Sequence, residues 1–281
     1  MGYKLSDYVR LFLALLLIVI VMGPITLMFA TSFKADEQQI LVDFGSWRAF
    51  WVNPFDISLE NYRQVLSNEQ QPLLRYLLNS TIITVFVVGI GIFVNSAVAF
   101  SLSRLSFKGR GAILMIFVSL IIIPMEALAV PLLLMVNRVG WIDSYQVQIV
   151  PFIAHPFSIF LFYQFFTKLP KDLDDAAYVE GATPWRVYWD LALPLSLPVV
   201  ATVAILQSLE IWNSYLWPLM ATRGPEFRPV SLGLAQFFGT PPPIWGDVMA
   251  FSVMMSLPVL FVYLAFQRWF IQSAVNAAVK G

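Results

Sequence analysis

Between Arg10 and Lys34 the chain runs for 23 residues without a charge, LFLALLLIVIVMGPITLMFATSF. As an α-helix rising about 1.5 Å per residue, such a stretch crosses the roughly 30 Å hydrocarbon core of a bilayer and satisfies its own backbone hydrogen bonds there. It is too long for the apolar region of a cleavable secretory signal, so it reads as a retained span although Lys4 and Arg10 precede it. Windows of similar character recur, giving spans at approximately 11–33, 76–103, 112–136, 146–167, 197–220 and 248–270. Hydrophobic residues make up 59% of the chain and charged residues 12%, more apolar matter than a soluble core uses. The expected fold is an all-α membrane protein of six transmembrane helices in a lipid bilayer, one membrane domain over residues 1–281. No clear internal repeat, low-complexity segment or appended soluble domain is visible.

Seventeen basic residues balance seventeen acidic ones, and no basic cluster stands out, so nucleic acid is not an expected partner. There is no cysteine, which excludes disulfides, thiolate metal sites and cysteine nucleophiles. Lys and Arg in short loops concentrate on the cytoplasmic side. Placing both termini inside assigns ten such residues to the cytoplasm, among them Arg104, Lys108, Arg110, Lys168, Lys171 and Arg186, against seven outside. Three of those seven lie well inside the long first loop, where the rule carries little weight. The outer loops are then 34–75 and 221–247, the inner loop 168–195 and the inner tail 271–281. FGSWRAFWVNPF in the first outer loop suits an interfacial aromatic belt, though exposed aromatics stiffened by proline also suit a docking surface. Three consecutive prolines in the second, GLAQFFGTPPPIWG, predict a stiff extended segment.

The inner loop holds a polar knuckle, DDAAYVEGATPWRVYWDLALPL. Asp172, Asp174 and Asp175 crowd the positive end of a short helix predicted from about Asp172 to Glu180. Gly181 fits the left-handed residue that closes it, and Thr183 followed by Pro184 is an N-cap followed by a first-turn proline. A second helix should run through Trp185, Tyr188 and Trp189 until Pro194 bars it near the fifth span. Ala176 and Ala177 give the first helix a side small enough for another protein's groove to approach closely. The alternative is a helix lying on the membrane surface, with Trp185, Tyr188 and Trp189 among the headgroups.

Asp175, Ala176 and Ala177, then Gly181 after three residues, then Leu191, Leu193 and Pro194, resemble the EAA motif of permease subunits in binding-protein-dependent ABC importers. Asp175 replaces the usual Glu, and Leu191 stands where Ile is common. From about Leu77 onward the chain is also similar to the maltose-type carbohydrate branch, through WNSYLWPL, WGDVMAFSVMMSLPVLFVYLAFQRWF and the terminal NAAVKG. The resemblance implies a type I ABC importer permease fold with both termini cytoplasmic, in the cell inner membrane. It implies pairing with a second, homologous permease, a dimer of ATPase subunits beneath, an extracytoplasmic solute-binding protein outside, and a carbohydrate substrate. Asp175, Ala176, Ala177, Glu180, Gly181, Leu191 and Pro194 would form the joint with the ATPase, and Val279, Lys280 and Gly281 a tail reaching between the ATPases. The outer loop would enter the binding protein's sugar cleft with a tip near Phe237, Phe238, Gly239 and Thr240.

A chain that used ATP unaided would need a GxxxxGK[ST] phosphate cradle, and none is present. ATP and Mg are therefore expected on the partner ATPase, no cofactor or metal is expected on this chain, and it is not expected to be an enzyme. The one histidine, His155, lies near Pro151 and Pro156 and suits packing better than catalysis. Intramembrane carboxylates are costly and hence informative: Glu126 and Glu210. Gln207, Glu210 and Asn213 fall three apart on one helix face, beside Trp212, and could line a sugar path or hydrogen-bond to a helix of a partner subunit. Two alternatives remain: an ion-coupled secondary transporter using Glu126 and Glu210, and an ABC permease for a non-carbohydrate solute.

Overall fold

The computed structural model describes residues 5–239 and 241–279, and the regular structure among them is entirely helical. In chain order these are α1 (Leu5–Ser32), α2 (Glu37–Asp43), a 3₁₀ turn at Trp47–Phe50, α3 (Glu60–Ser67), α4 (Leu73–Arg104), α5 (Arg110–Ile122) and α6 (Met125–Arg138). Then come α7 (Tyr145–Ile149) with a 3₁₀ turn at Val150–Phe152, α8 (Pro156–Lys168), α9 (Asp172–Val179), α10 (Pro184–Val187), a π turn at Tyr188–Ala192 and α11 (Leu193–Leu195). The chain continues through α12 (Leu197–Trp212), α13 (Leu216–Ala221), α14 (Val230–Phe238) and α15 (Trp245–Val279).

Among the described residues, four stretches are apolar and long enough to cross a membrane: Tyr8–Ser32, Leu73–Arg104, Tyr145–Lys168 and Trp245–Leu264. Two more arise if each bent pair is one span, α5 with α6 (bent 106°) and α10–α11 with α12 (bent 74°). The expected third span, 112–136, is thus two helices rather than one. A residue before proline is driven out of the α region, because the proline ring clashes with its backbone. Ile123, before Pro124, has φ −78° and ψ 117°, and His155, before Pro156, has φ −118° and ψ 108°. The same rule therefore bends the α5–α6 pair and parts α7 from α8.

The described residues form two compact units. The first comprises residues up to 75 together with 233–258. Here the expected outer loop 34–75 proves locally ordered. Lys34 Nζ donates to Asp43 Oδ2 (2.8 Å) and to the Arg48 carbonyl (2.7 Å), and Asn61 Nδ2 donates to the carbonyls of Ser32 and Lys34. Glu37 accepts from the backbone N–H groups of Trp245 and Gly246, placing a carboxylate at the positive end of α15.

The second unit comprises 76–232 and the chain from 259. Its core joins Ala99, Phe100 and Leu102 of α4 to Ile159, Phe162 and Phe166 of α8, Val203 of α12, and Val187, Tyr188 and Ala192 of the knuckle. Tyr188, expected among headgroups in the membrane-surface alternative, is instead buried, with its hydroxyl 2.8 Å from Ser96 Oγ. The knuckle's second helix also passes Pro194 and stops at Leu195. Proline clashes with the carbonyl four residues back, here Asp190. The π turn widens the helix at that place, with Leu193 N–H donating to the Tyr188 carbonyl, five residues back. Toward its end the chain stays helical, α15 running unbroken to Val279.

Candidate functional site

The knuckle is built from local signals. α9 stops by two backbone hydrogen bonds, Gly181 N–H to the Tyr178 carbonyl (3.0 Å) and Ala182 N–H to the Ala177 carbonyl (2.9 Å), with Gly181 at φ +82°. Thr183 Oγ1 then accepts from Arg186 N–H and starts α10 at Pro184. Tertiary contacts fix the pair in place. Arg104, the last residue of α4, places Nη1 3.0 Å from Asp174 Oδ2 and donates Nη2 to the Leu169 carbonyl (2.9 Å). Burial pushes the Asp174 carboxyl above the usual aspartate range, and the Arg104 guanidinium pulls against that without overcoming it.

This arrangement divides the expected joint. Asp175, Ala176, Glu180, Gly181 and Pro194 are exposed, while Ala177 and Leu191 pack against the core. Val179 is 89% exposed and Leu173 41%, so α9 presents an uncovered face of mixed apolar and acidic character. Val279 closes α15, and Lys280 and Gly281 lie outside the described residues. In the loop 221–247, Phe237 and Phe238 end α14. Phe237 packs on Phe251 with ring centroids 5.0 Å apart, and Phe238 on Trp245 at 5.8 Å. Gly239 follows α14, its N–H bonded back to the carbonyls of Ala235 and Gln236, and Thr240 lies outside the described residues.

The second feature is a cavity of about 500 Å³ in the second unit, lined by parts of α5, α6, α12 and the break between α7 and α8. Gln207 and Glu210 line it. Gln207 is buried, donating Nε2 to the Phe152 carbonyl (3.2 Å), and its Oε1 has no donor among the described residues. Glu210 Oε2 lies 3.3 Å from His155 Nε2, whose Nδ1 is 2.8 Å from Ser158 Oγ. His155 therefore belongs to the cavity wall. Its spacing from Glu210 in sequence gave no sign of the pairing. The other expected path residues fall elsewhere: Glu126 is exposed in the first turn of α6, Trp212 is buried, and Asn213 caps α12 through Nδ2 to the Leu209 carbonyl. Glu210→Gln keeps the shape but removes the charge facing His155. If the cavity receives substrate, half-saturation for uptake should shift by roughly tenfold, the worth of one charged hydrogen bond. Unchanged uptake kinetics would assign Glu210 to packing.

Comparison with known proteins bears on the whole chain. Residues 87–276 match the family described as binding-protein-dependent transport system inner membrane component. The trehalose/maltose transport system permease protein MalG of Thermococcus litoralis is 32% identical, covering 95% of both chains. The melibiose/raffinose/stachyose import permease protein MelC of Bacillus subtilis is 30% identical over 92% of this chain and 91% of its own. In three dimensions the fold is similar to a chain of a bacterial ABC transporter involved in import of the acidic polysaccharide alginate. The TM-score is 0.81 at 23% identity, covering 96% of this chain and 99% of that one. The apolar helices and these matches make it a multi-pass membrane protein, and the chain belongs to the family of inner membrane components of binding-protein-dependent transport systems.

Proposed function

We propose that this chain is one of two permease subunits of an ATP-driven carbohydrate importer, and that the exposed face of α9 is where an ATPase subunit docks. The observation that carries the docking proposal is the division of the knuckle. One half is built into the α4–α8–α12 core and clamped by Arg104, while the other half projects with Val179, Ala176 and Asp175 uncovered. A lever needs both a rigid root and a free working face, and helix-in-groove contacts use such faces. On this reading six spans cross the cytoplasmic membrane with both termini inside, each broken pair counting as one span. A second permease completes the path, a dimer of ATPases holds ATP and Mg, and a solute-binding protein delivers substrate from outside.

Carbohydrate as substrate is supported by the relatives' transport of trehalose/maltose and melibiose/raffinose/stachyose. The cavity's chemistry agrees. Its lining has one carboxylate, one histidine and an amide oxygen without a donor, but no Lys or Arg, which suits neutral hydroxyl-bearing molecules. ATP drives such a cycle because it binds the closed ATPase dimer preferentially, and closure draws the docked helices together.

The test is affinity purification of the chain co-expressed with candidate ATPase subunits. Wild type should retain an ATPase, and Asp175→Arg should lose it while the chain stays in the membrane. Uptake by the wild-type chain alone, with no ATPase present, would overturn the proposal.

A further inference from the structure

Between α1 and α3, within the first unit, the chain closes around a cleft of about 390 Å³, a size typical of small-molecule sites. Two indoles border it, Trp47 at 72% exposure and Trp51 at 58%. Asp36, Gln39, Asn53 and Asp56 share the lining and together both accept and donate hydrogen bonds. Asp36 commits Oδ1 to the N–H groups of Gln38 and Gln39, and Asn53 holds Asp56 through Nδ2 (2.8 Å), so three of these four side chains are already oriented.

Lys34 also lines the cleft and is 5% exposed. Asp43 and the Arg48 carbonyl take two of its three ammonium protons, and the third has no acceptor among the described residues. A buried cation held this rigidly beside a cleft is a preorganised donor. Flat indole faces suit the apolar C–H face of a pyranose ring, while carboxylates, amides and an ammonium suit its hydroxyls.

We infer that this cleft binds a neutral saccharide unit, a second sugar subsite built from residues other than those of the Gln207–Glu210 cavity. The charges argue against an anionic occupant. Lys34 and Arg48 are outnumbered by Asp36, Asp43 and Asp56, so a phosphate headgroup or a uronate would meet net repulsion. The inference rests on the carbohydrate reading above and on this segment facing outward.

The experiment is saturation-transfer NMR on the full chain in nanodiscs, with maltotriose and raffinose as neutral probes, an alginate trisaccharide as the uronate and glycerophosphocholine as the headgroup. Saturation transfer to a neutral probe is expected, with affinity weakened roughly tenfold or more in Trp47→Ala/Trp51→Ala and partly rescued by Phe at both positions. No transfer to either neutral probe, or transfer unchanged in the double alanine variant, would overturn the subsite. Preference for glycerophosphocholine or the uronate would overturn it too. Uptake of maltotriose and raffinose by cells with the complete transporter separates the two readings. Uptake without cleft binding removes the subsite alone, and absence of both removes the carbohydrate reading with it.

Discussion

Gly181→Pro should abolish transport while the chain still inserts and its α4–α8–α12 core stays folded. Gly181 sits at φ +82°, and proline is confined near −65°, so the bend cannot form with the substituted residue. The change also deletes the N–H that bonds to the Tyr178 carbonyl. It further pushes Glu180 toward extended backbone, from the φ −79° and ψ 3° it adopts as the cap of α9. Together these cost about 3 kcal/mol or more, yet they fall on an exposed turn outside the packed core. The loss therefore appears as misdirection of α9, not as unfolding. Uptake in proteoliposomes and substrate-stimulated ATP hydrolysis should both fall by about 100-fold, with melting of the assembled complex little changed. Gly181→Ala, which meets only the left-handed backbone penalty of about 1–2 kcal/mol, should fall between. Normal transport by the proline variant would remove the bend from the mechanism.

Arg104→Ala should loosen the knuckle at its root. The guanidinium is almost wholly buried and binds both Asp174 and the Leu169 carbonyl, so its removal leaves a largely buried carboxylate and a carbonyl without their donor. Breaking a buried pair from one side costs about 3 kcal/mol or more; Asp174 keeps some contact with solvent, so about 2 kcal/mol is the better expectation. Amide exchange across 172–180 should accelerate roughly 30-fold. A pH response identifies the cause. Burial holds the folded-state Asp174 carboxyl above 3.8, so the folded loop binds a proton more readily than the unfolded chain. The resulting stabilisation is complete below that value and is lost as pH rises through the raised one. Protection of α9 should therefore increase on acidification, more steeply in Arg104→Ala because Lys171 is then the one cation left to oppose burial, and not at all in Asp174→Asn. Unchanged exchange in Arg104→Ala would show that the core contacts of Tyr188 and Val187 hold the knuckle unaided.

What the sequence disclosed was mostly local. The stop at Gly181 and the start at Thr183–Pro184 depend on residues within one turn of each other, and both formed as expected. The family and its carbohydrate branch were legible in the spacing from Asp175 to Pro194 and in the segments after Lys168, and the family match sets aside an ion-coupled carrier. Counting uncharged residues recovered the apolar stretches but not their geometry, because a window sees length and misses direction. Pro124 was visible inside the third stretch, and the residue-before-proline rule would have placed the 106° bend there. The His155–Glu210 and Arg104–Asp174 pairs join residues far apart in sequence, and no periodicity reveals such contacts. Tyr188 misled because an aromatic among aromatics suits a membrane surface as well as a core. α14 was hidden by the prolines that follow it, Pro241 to Pro243.

The break between α7 and α8 exposes backbone that neighbouring helices complete. Asn95 of α4 donates to the Ile153 carbonyl and accepts from His155 N–H, while Gln207 of α12 donates to the Phe152 carbonyl. Gly91 lets α4 close up on this junction, since a Cβ there would stand 3.1 Å from the Ile153 carbonyl oxygen and 3.3 Å from Gln207 Nε2. In hydrocarbon, a carbonyl deprived of its donor costs several kcal/mol. Any motion that draws α12 away from this break must therefore supply another donor to the Phe152 carbonyl, so the seating of α12 and the closing of this backbone gap are one event.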